Sequence, residues 1–267
     1  MRNPESHKGQ NGRVLVIAGS EQYVGAAYLT AVAAFRCGVD LVHLACPKKA
    51  AFIVNGMAPS LITHKLAGST LTKKHVPTLL KLCKDVDVVV IGPGLGDTPG
   101  TLGAVKEFLK KNVGPVVVDA DAIKAMKGSI PTNSIITPHA KELEFVAGKY
   151  EDVGETIINL AEKDKVILFK GNPDFITDGE RIHVNETGNA SMTKAGTGDI
   201  LAGICGGMWA LVDDPFVAAR IAAAVNGICG EWLYKESGYG YLTEEILEEI
   251  PHALEEVIQW KKKSLSK

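Results

Sequence analysis

The segment at residues 194–204, KAGTGDILAGI, sets two glycines, a threonine and an acid directly against an apolar run. An aspartate at that point has two uses. As a structural group, Asp199 sits in or just before the first turn of a helix, where the dipole favours a carboxylate by roughly 0.3–1 kcal/mol. As a chemical group it stands beside an anion cradle. Gly196 and Gly198 let the backbone approach a phosphate, the helix amides point at it, and Asp199 is at hand as a base.

Four further segments end an apolar run in glycine or charge. GPGLG at 92–96 lets a ligand approach the backbone, although it lacks the Lys-Ser/Thr ending of a P-loop and the dinucleotide spacing. A plain strand-to-helix turn reads equally well. In DAD, Asp119 and Asp121 face a metal or phosphate, or Asp121 caps the following helix; the cap is the expectation. In TPHAKE, His139 and Glu142 make a capping box, or Glu142 orders a metal-bound water while His139 meets a substrate. KGNPD at 170–174 offers a cation and backbone groups for a nucleotide, or simply a hairpin turn. The histidines at His7, His43, His64, His75, His183 and His252 show no ligand pairing and receive no role. Together the strand-end residues imply one phosphate-handling cleft and phosphoryl transfer to a small molecule, with Asp199 as base.

Such a cleft needs elements that bring those ends to one edge. RVLVIAG, VDLVHLACP, DVDVVVIGPGLG, PVVVDADAI, NSIITPHAKELEFV and KVILFKG are apolar strands that empty into glycines, acids or a lysine. A helix follows the first from near Gly25 and ends at Gly38; another begins near His139. Strands alternating with helices predict an α/β fold with a largely parallel sheet covered on both faces, and ligands collect at the strands' carboxyl ends. FITDGERIHV predicts an antiparallel hairpin turning at Asp178–Gly179. From Gly198 the chain reads as nearly all helix. No repeat or composition break appears, so one domain over 1–267 is expected, with residues 1–12 as a polar arm.

The composition is that of an ordinary globular chain: 267 residues, 46% hydrophobic and 22% charged. A net charge of −2 gives no basic footprint for nucleic acid and no cationic face for a membrane. The five cysteines form no CxxC pair, which fits reduced core thiols in a cytoplasmic protein. The first twelve residues hold no signal-peptide core. FVAARIAAAVNGICGEWL is interrupted by Arg220, Asn226 and Glu231, and a buried helix is expected there, not a membrane span.

ESHKGQNGRVLVIAGS, YVGAAYLTAVAAFRCG, IGPGLG, VVVDADAI, TPHAKE, KGNPD and TKAGTGDILAG occur in the order typical of ADP-dependent NAD(P)H-hydrate dehydratases. The chain resembles that family over nearly its whole length. The AGTGD element is shared with many ribokinase-like kinases; the SHKG arm with GPGLG and TPHxxE is the specific part. The resemblance implies a ribokinase-like three-layer αβα sandwich and repair of reduced nicotinamide nucleotides hydrated at C6, NADHX and NADPHX in their S form. ADP, or alternatively ATP, would phosphorylate the C6 hydroxyl with Mg²⁺ present, and elimination of phosphate would restore the cofactor.

By that resemblance Asp199 is the catalytic base that removes the hydroxyl proton, and it also touches the substrate. Gly196, Thr197 and Gly198 form the anion hole, whose amides supply about 3–4 kcal/mol each in such sites. Lys170, Gly171, Asn172, Pro173 and Asp174 bind the nucleotide. Ala27, Gly94 and His139 contact the hydrated nucleotide, and Glu142 orders the metal through water. Lys194 is an unmatched candidate for a phosphate contact. The chain departs from the family pattern at Val24, Ala140, Lys141 and Asn226. A homo-oligomer paired in function with an epimerase is expected; the chain starts too late to hold the N-terminal epimerase domain that some relatives carry, so it either works with a separate epimerase or was cut from a longer protein. The rival readings are a kinase of the same fold acting on a thiazole or pyrimidine alcohol, and a catalytically silent nucleotide-binding regulator.

Overall fold

The computed structural model describes residues 4–162 and 164–265. Its centre is one nine-stranded sheet. The strands are β1 (Arg13–Ile17), β2 (Leu41–Pro47), β3 (Ile62–Leu66), β4 (Val88–Ile91), β5 (Val116–Val118), β6 (Ser134–Ile136), β7 (Lys165–Phe169), β8 (Asp174–Thr177) and β9 (Ile182–Asn185). Their order is β3-β2-β1-β4-β5-β6-β7-β8-β9. Every pairing from β3 to β7 is parallel; β8 and β9 add antiparallel.

Among the described residues ten α-helices accompany the sheet: α1 (Val24–Arg36), α2 (Lys48–Met57), α3 (Val76–Leu82), α4 (Pro99–Lys111), α5 (Asp121–Lys124), α6 (Ala140–Ala147), α7 (Val153–Leu160), α8 (Thr197–Trp209), α9 (Pro215–Ser237) and α10 (Ile246–Leu265). Alternation along a strand sends successive side chains to opposite faces. On β1, Val14 and Val16 join a core with residues of α1, α2, α8, α9 and α10. Leu15 and Ile17 join a second core with residues of α3 to α7. The result is a three-layer αβα sandwich.

The expected strands form, and the hairpin turns where Asp178 accepts the Glu180 and Arg181 amides. α1 ends at Arg36, with Cys37 and not Gly38 in the capping position. The arm also has a fixed seat, because the amides of Gly9 and Asn11 donate to Asp40 Oδ2 at 2.8 and 3.0 Å. One strand was not expected. β3, ITHKL, lies at the sheet's edge and carries no apolar run, since an edge strand meets water. Among the described residues, Pro215–Gly240 is long and apolar enough to cross a membrane, with mean hydropathy 1.2 over an 18-residue stretch, 67% of which is buried inside the fold. Four of the five cysteines are buried and all five are free.

Strand order fixes where a ligand can enter. The chain leaves β1 toward β2 on one side and returns to β4 on the other, so the loops after β1 and β4 part at a crevice. The amide of Gly19, after β1, donates to the Pro93 carbonyl, after β4, at 2.8 Å.

Candidate active site

Asp199 is the third residue of α8, so its carboxylate lies in the first turn of the helix. It does not cap that helix. Gly196 holds the capping position in a left-handed conformation, without a side-chain hydrogen bond. The first amides of a helix have no partner inside it. Among the described residues the N–H groups of Gly198 and Asp199 have no carbonyl acceptor, and Thr197 N reaches Lys194 O only at 3.5 Å. They form the donor set an anion requires. The Thr197 hydroxyl is spent on the Met192 and Lys194 carbonyls, so this residue can offer an anion its backbone.

Two clefts meet at this turn. The first, 320 Å³, is lined by Lys170, Gly171, Asn172, Pro173, Asp174, Thr197 and Gly198, with Asn226 and Gly227 of α9 among its other walls. The second, 570 Å³, occupies the crevice between the β1 and β4 loops and is lined by Tyr23, Ala26, Gly94, Asp97, Asp121 and Asp199, among others. Gly198 faces one and its neighbour Asp199 the other.

The electrostatics of the turn come from three strand ends. Lys170, after β7, places its ammonium 2.8 Å from Asp119 Oδ1, after β5, and 3.4 Å from Glu142 Oε2 on α6. Thr137, after β6, donates its hydroxyl to the same Asp119 oxygen at 2.7 Å. Burial pulls the Lys170 pKa down, but Asp119 and Glu142 outweigh it and hold the ammonium above its ordinary value. Asp199 moves the opposite way for a carboxylate. Burial first, then the charge of Asp119, push it up to about 7, against the pull of Lys170. An acid with that value is half ionised near neutrality, where a general base is most useful.

The remaining expected residues divide. Gly94 lines the second cleft at φ +63°, and a Cβ there would lie 2.6 Å from that of Ala26, so a larger residue would push loop and α1 apart. Ala27 is wholly buried and lines neither cleft; its side chain packs beside Gly19, and Ala26 holds the wall instead. His139 also lines neither cleft. It forms the capping box of α6: Nδ1 accepts from the Lys141 and Glu142 amides, and Glu142 Oε2 accepts from His139 N at 3.0 Å. Its backbone bridges that of Lys170, which places it one residue from the first cleft's edge. Gly196 lines neither cleft and acts through its turn.

Two expectations fail for geometric reasons. Asp121 does not cap α5, whose capping residue is Ala120. Its carboxylate accepts from the Gly96 amide and from Lys124, both at 2.8 Å, and so fixes the glycine loop. Lys194 is not free for a phosphate. Its ammonium donates to the Tyr239 and Tyr241 carbonyls at 2.8 and 2.5 Å and lies over the Tyr241 ring. Asp174 also shapes its own turn, accepting from Gly171 N and Asn185; burial raises its pKa.

Sequence reasoning gave no role to Asn226, whose buried Oδ1 has no hydrogen-bond partner among the described residues and stands on a wall of the first cleft. The signal was an amide inside an alanine-rich helix. Among the described residues no group of three or more His, Cys, Asp or Glu side chains is arranged to hold a metal alone. Of the acids beside Lys170, Asp119 is buried against that lysine and Thr137, so Glu142 is the one that suits a water of Mg²⁺ carried on nucleotide phosphates, since that ion keeps several waters and needs few carboxylates.

A parallel sheet with an antiparallel edge, and a helix turn with free amides between two clefts, make up an α/β sandwich of the ribokinase-like fold. The same fold occurs in a ribokinase-like superfamily protein from Enterococcus faecalis, at TM-score 0.83 and 23% identity over 96% of this chain and 91% of that one. Within that class the chain belongs to the NAD(P)H-hydrate dehydratase family, whose model matches residues 14–252. The bifunctional NAD(P)H-hydrate repair enzyme Nnr of Pyrobaculum aerophilum is 39% identical over 262 residues, 95% of this chain and 52% of that protein. The chain thus spans about half the length of the curated relatives it matches. The ADP/ATP-dependent NAD(P)H-hydrate dehydratase of Bacillus subtilis, co-crystallised with ATP and Mg²⁺, is 27% identical with TM-score 0.80, over 96% of this chain and 93% of that one.

Proposed function

We propose that this chain dehydrates the S epimer of hydrated NADH or NADPH, using ADP as phosphoryl donor. The observation that carries the reading is the position of Asp199: a carboxylate raised to about 7, on the partition between two clefts, beside unpaired helix amides. In this reading the first cleft takes ADP, with its phosphates toward Lys170 and the turn at Gly196, Thr197 and Gly198. The second takes the hydrated nicotinamide, its C6 hydroxyl toward Asp199.

Asp199 accepts the hydroxyl proton as the oxygen attacks the β-phosphorus, and AMP leaves. The phosphorylated ring then expels phosphate as the nitrogen lone pair moves in and a ring proton is lost, restoring the reduced cofactor. Hydroxide is a poor leaving group and phosphate a good one, which explains the need for a donor. The amides of the α8 turn meet charge as it develops on the moving phosphoryl group. Lys170 neutralises it further, and the buried acids Asp119 and Glu142 hold that lysine in place. Mg²⁺, when bound, would offset phosphate charge, with Glu142 meeting one of its waters.

Membership of the family supports this assignment, as does the co-crystallisation of the Bacillus subtilis relative with ATP and Mg²⁺. We read the chain as one dehydratase domain of a cytoplasmic homo-oligomer that works alongside an epimerase. The backbone near Ala27 is assigned to a substrate contact at the margin of the second cleft, and His139, beside Lys170, to one reached from the edge of the first. The test is recovery of reduced-nicotinamide absorbance from the hydrate, run first with ADP and then with ATP. Recovery with neither, alongside turnover of a thiazole or pyrimidine alcohol, would replace the dehydratase by a kinase of the same fold.

A further inference from the structure

A third hollow, of 600 Å³, is lined by Ala67, Gly68, Thr72, Lys73, Lys74 and His75. No acid lines it. Glu107, whose carboxylate feels Lys73, is bonded to Lys111 at 2.7 Å. The chain as a whole carries −2, so a hollow whose titratable residues are two lysines and a histidine is a local departure that composition does not predict. His75 adds to it: Nδ1 accepts from the Thr72 amide at 3.1 Å, which leaves the ring proton on Nε2. Ala67, Gly68 and the lysine stems form an apolar floor beneath the charged ends.

The hollow adjoins the second cleft by two routes. Ser69 and Thr70 line the cleft, and Gly68 and Thr72, one or two residues away, line the hollow. Three Cα steps from Thr70 to Lys73 cover at most about 11 Å. On the other side, a Cβ at Gly103 would lie 3.2 Å from Lys73 Cε, so this lysine runs along α4. Thr98, which caps α4 and lines the cleft, is five residues earlier, about 7.5 Å along the axis. A nicotinamide in the second cleft is followed by a ribose, a diphosphate and a second ribose, enough chain to reach this hollow.

We infer that Lys73, Lys74 and His75 form a subsite for the 2′-phosphate on the adenosine half of the dinucleotide, so that the phosphorylated hydrate is the preferred substrate. The inference rests on the second cleft holding the dinucleotide. A phosphomonoester carries close to two negative charges, which two ammonium groups and an imidazole donor match. The apolar floor receives the sugar and base.

The experiment compares NADP⁺ and NAD⁺, which lack the reactive hydroxyl, by titration calorimetry on the full chain with saturating ADP to fill the first cleft. NADP⁺ is expected to bind about tenfold more tightly. The double substitution K73A/K74A should weaken NADP⁺ alone and bring the ratio near one, whereas K73R/K74R keeps it. Equal affinities in the native protein overturn the proposal. So does equal weakening of both ligands by K73A/K74A, which would put the lysines on the diphosphate. Turnover enters neither measurement. A chain that discriminates without dehydrating retains the subsite and loses the reaction, and one that dehydrates both hydrates without discrimination does the reverse.

Discussion

The ammonium of Lys170 lies 2.8 Å from the carboxylate of Asp119, although the two residues stand at the ends of strands separated by a third. That third strand supplies Thr137 to the same oxygen, so β5, β6 and β7 are tied at their carboxyl ends. Glu142 closes the arrangement from α6. Removing the lysine leaves two buried acids without a counter-charge. Lys170→Met is expected to lower stability by about 3–5 kcal/mol. The double variant with Asp119→Asn should recover part of that loss in urea denaturation. Equal stability of the single variant and the native chain would show the pair to be idle.

Asp199→Asn should abolish dehydration, with a loss of at least about 10²-fold, while calorimetry still detects ADP binding in the first cleft. The same change should raise stability above pH 7. A carboxylate whose folded pKa exceeds its unfolded value stabilises the fold below the unfolded value, and that contribution is lost as pH rises through about 7. The melting temperature of the variant should therefore exceed that of the native chain more at pH 8 than at pH 5. Wild-type turnover in this variant would remove Asp199 from the mechanism.

The pH dependence of kcat/KM should show an acid limb with its midpoint near 7, activity rising as Asp199 ionises. Burial sets most of the shift and Asp119 adds to it, so Asp119→Asn should move the midpoint to lower pH. A limb that stays in place when Asp119 is neutralised would point to a different titrating group.

The glycine loop gives a test that separates backbone from chemistry. Gly92 has φ +133°, and a Cβ there would fall 1.8 Å from the Asp119 carbonyl oxygen. Gly92→Ala should destabilise the chain by about 1–3 kcal/mol and displace Asp119. Gly100, in the first turn of α4, has its nearest neighbour at 3.9 Å. Gly100→Ala should instead stabilise by about 0.4–1 kcal/mol, through the unfolded chain. Differential scanning calorimetry of the two variants decides both signs.

His43 and His64, on adjacent strands β2 and β3, stack with Nδ1 and Nε2 2.9 Å apart. Burial lowers both pKa values; Arg13 opposes and Asp85 favours charge on His43, while His43 and Lys65 oppose it on His64. A histidine with a depressed folded value stabilises above its unfolded pKa, and that contribution is lost as pH falls through the folded value. Stability should drop on acidification below about pH 6.5, and His64→Phe should flatten the slope. A native chain whose melting temperature is constant from pH 7 to pH 5 would contradict this.

The residues readable from sequence were those whose chemistry is local. Asp199 and its glycines sit within four residues of one another, and an acid at a helix start is an i to i+3 pattern. The capping box of His139 and Glu142 is local in the same way. What escaped needs the sheet: Lys170 meets Asp119 across 51 residues, and no periodicity encodes that approach. Asp121 read as a cap because its partner, the Gly96 amide, lies 25 residues back. β3 escaped because an exposed edge strand has no reason to be apolar along its length. Lys194 looked available because the carbonyls that hold it come from the turn after α9.

Two adjacent residues of one helix turn decide more than a reaction step. Because Gly198 fronts one hollow and Asp199 the other, occupants of the two sides are neighbours across a wall one residue thick. A tethered inhibitor, adenosine joined through a short phosphate bridge to a six-membered nitrogen ring, would span that wall. Its second half would bind at the high effective concentration set by the tether, an advantage neither fragment has when free.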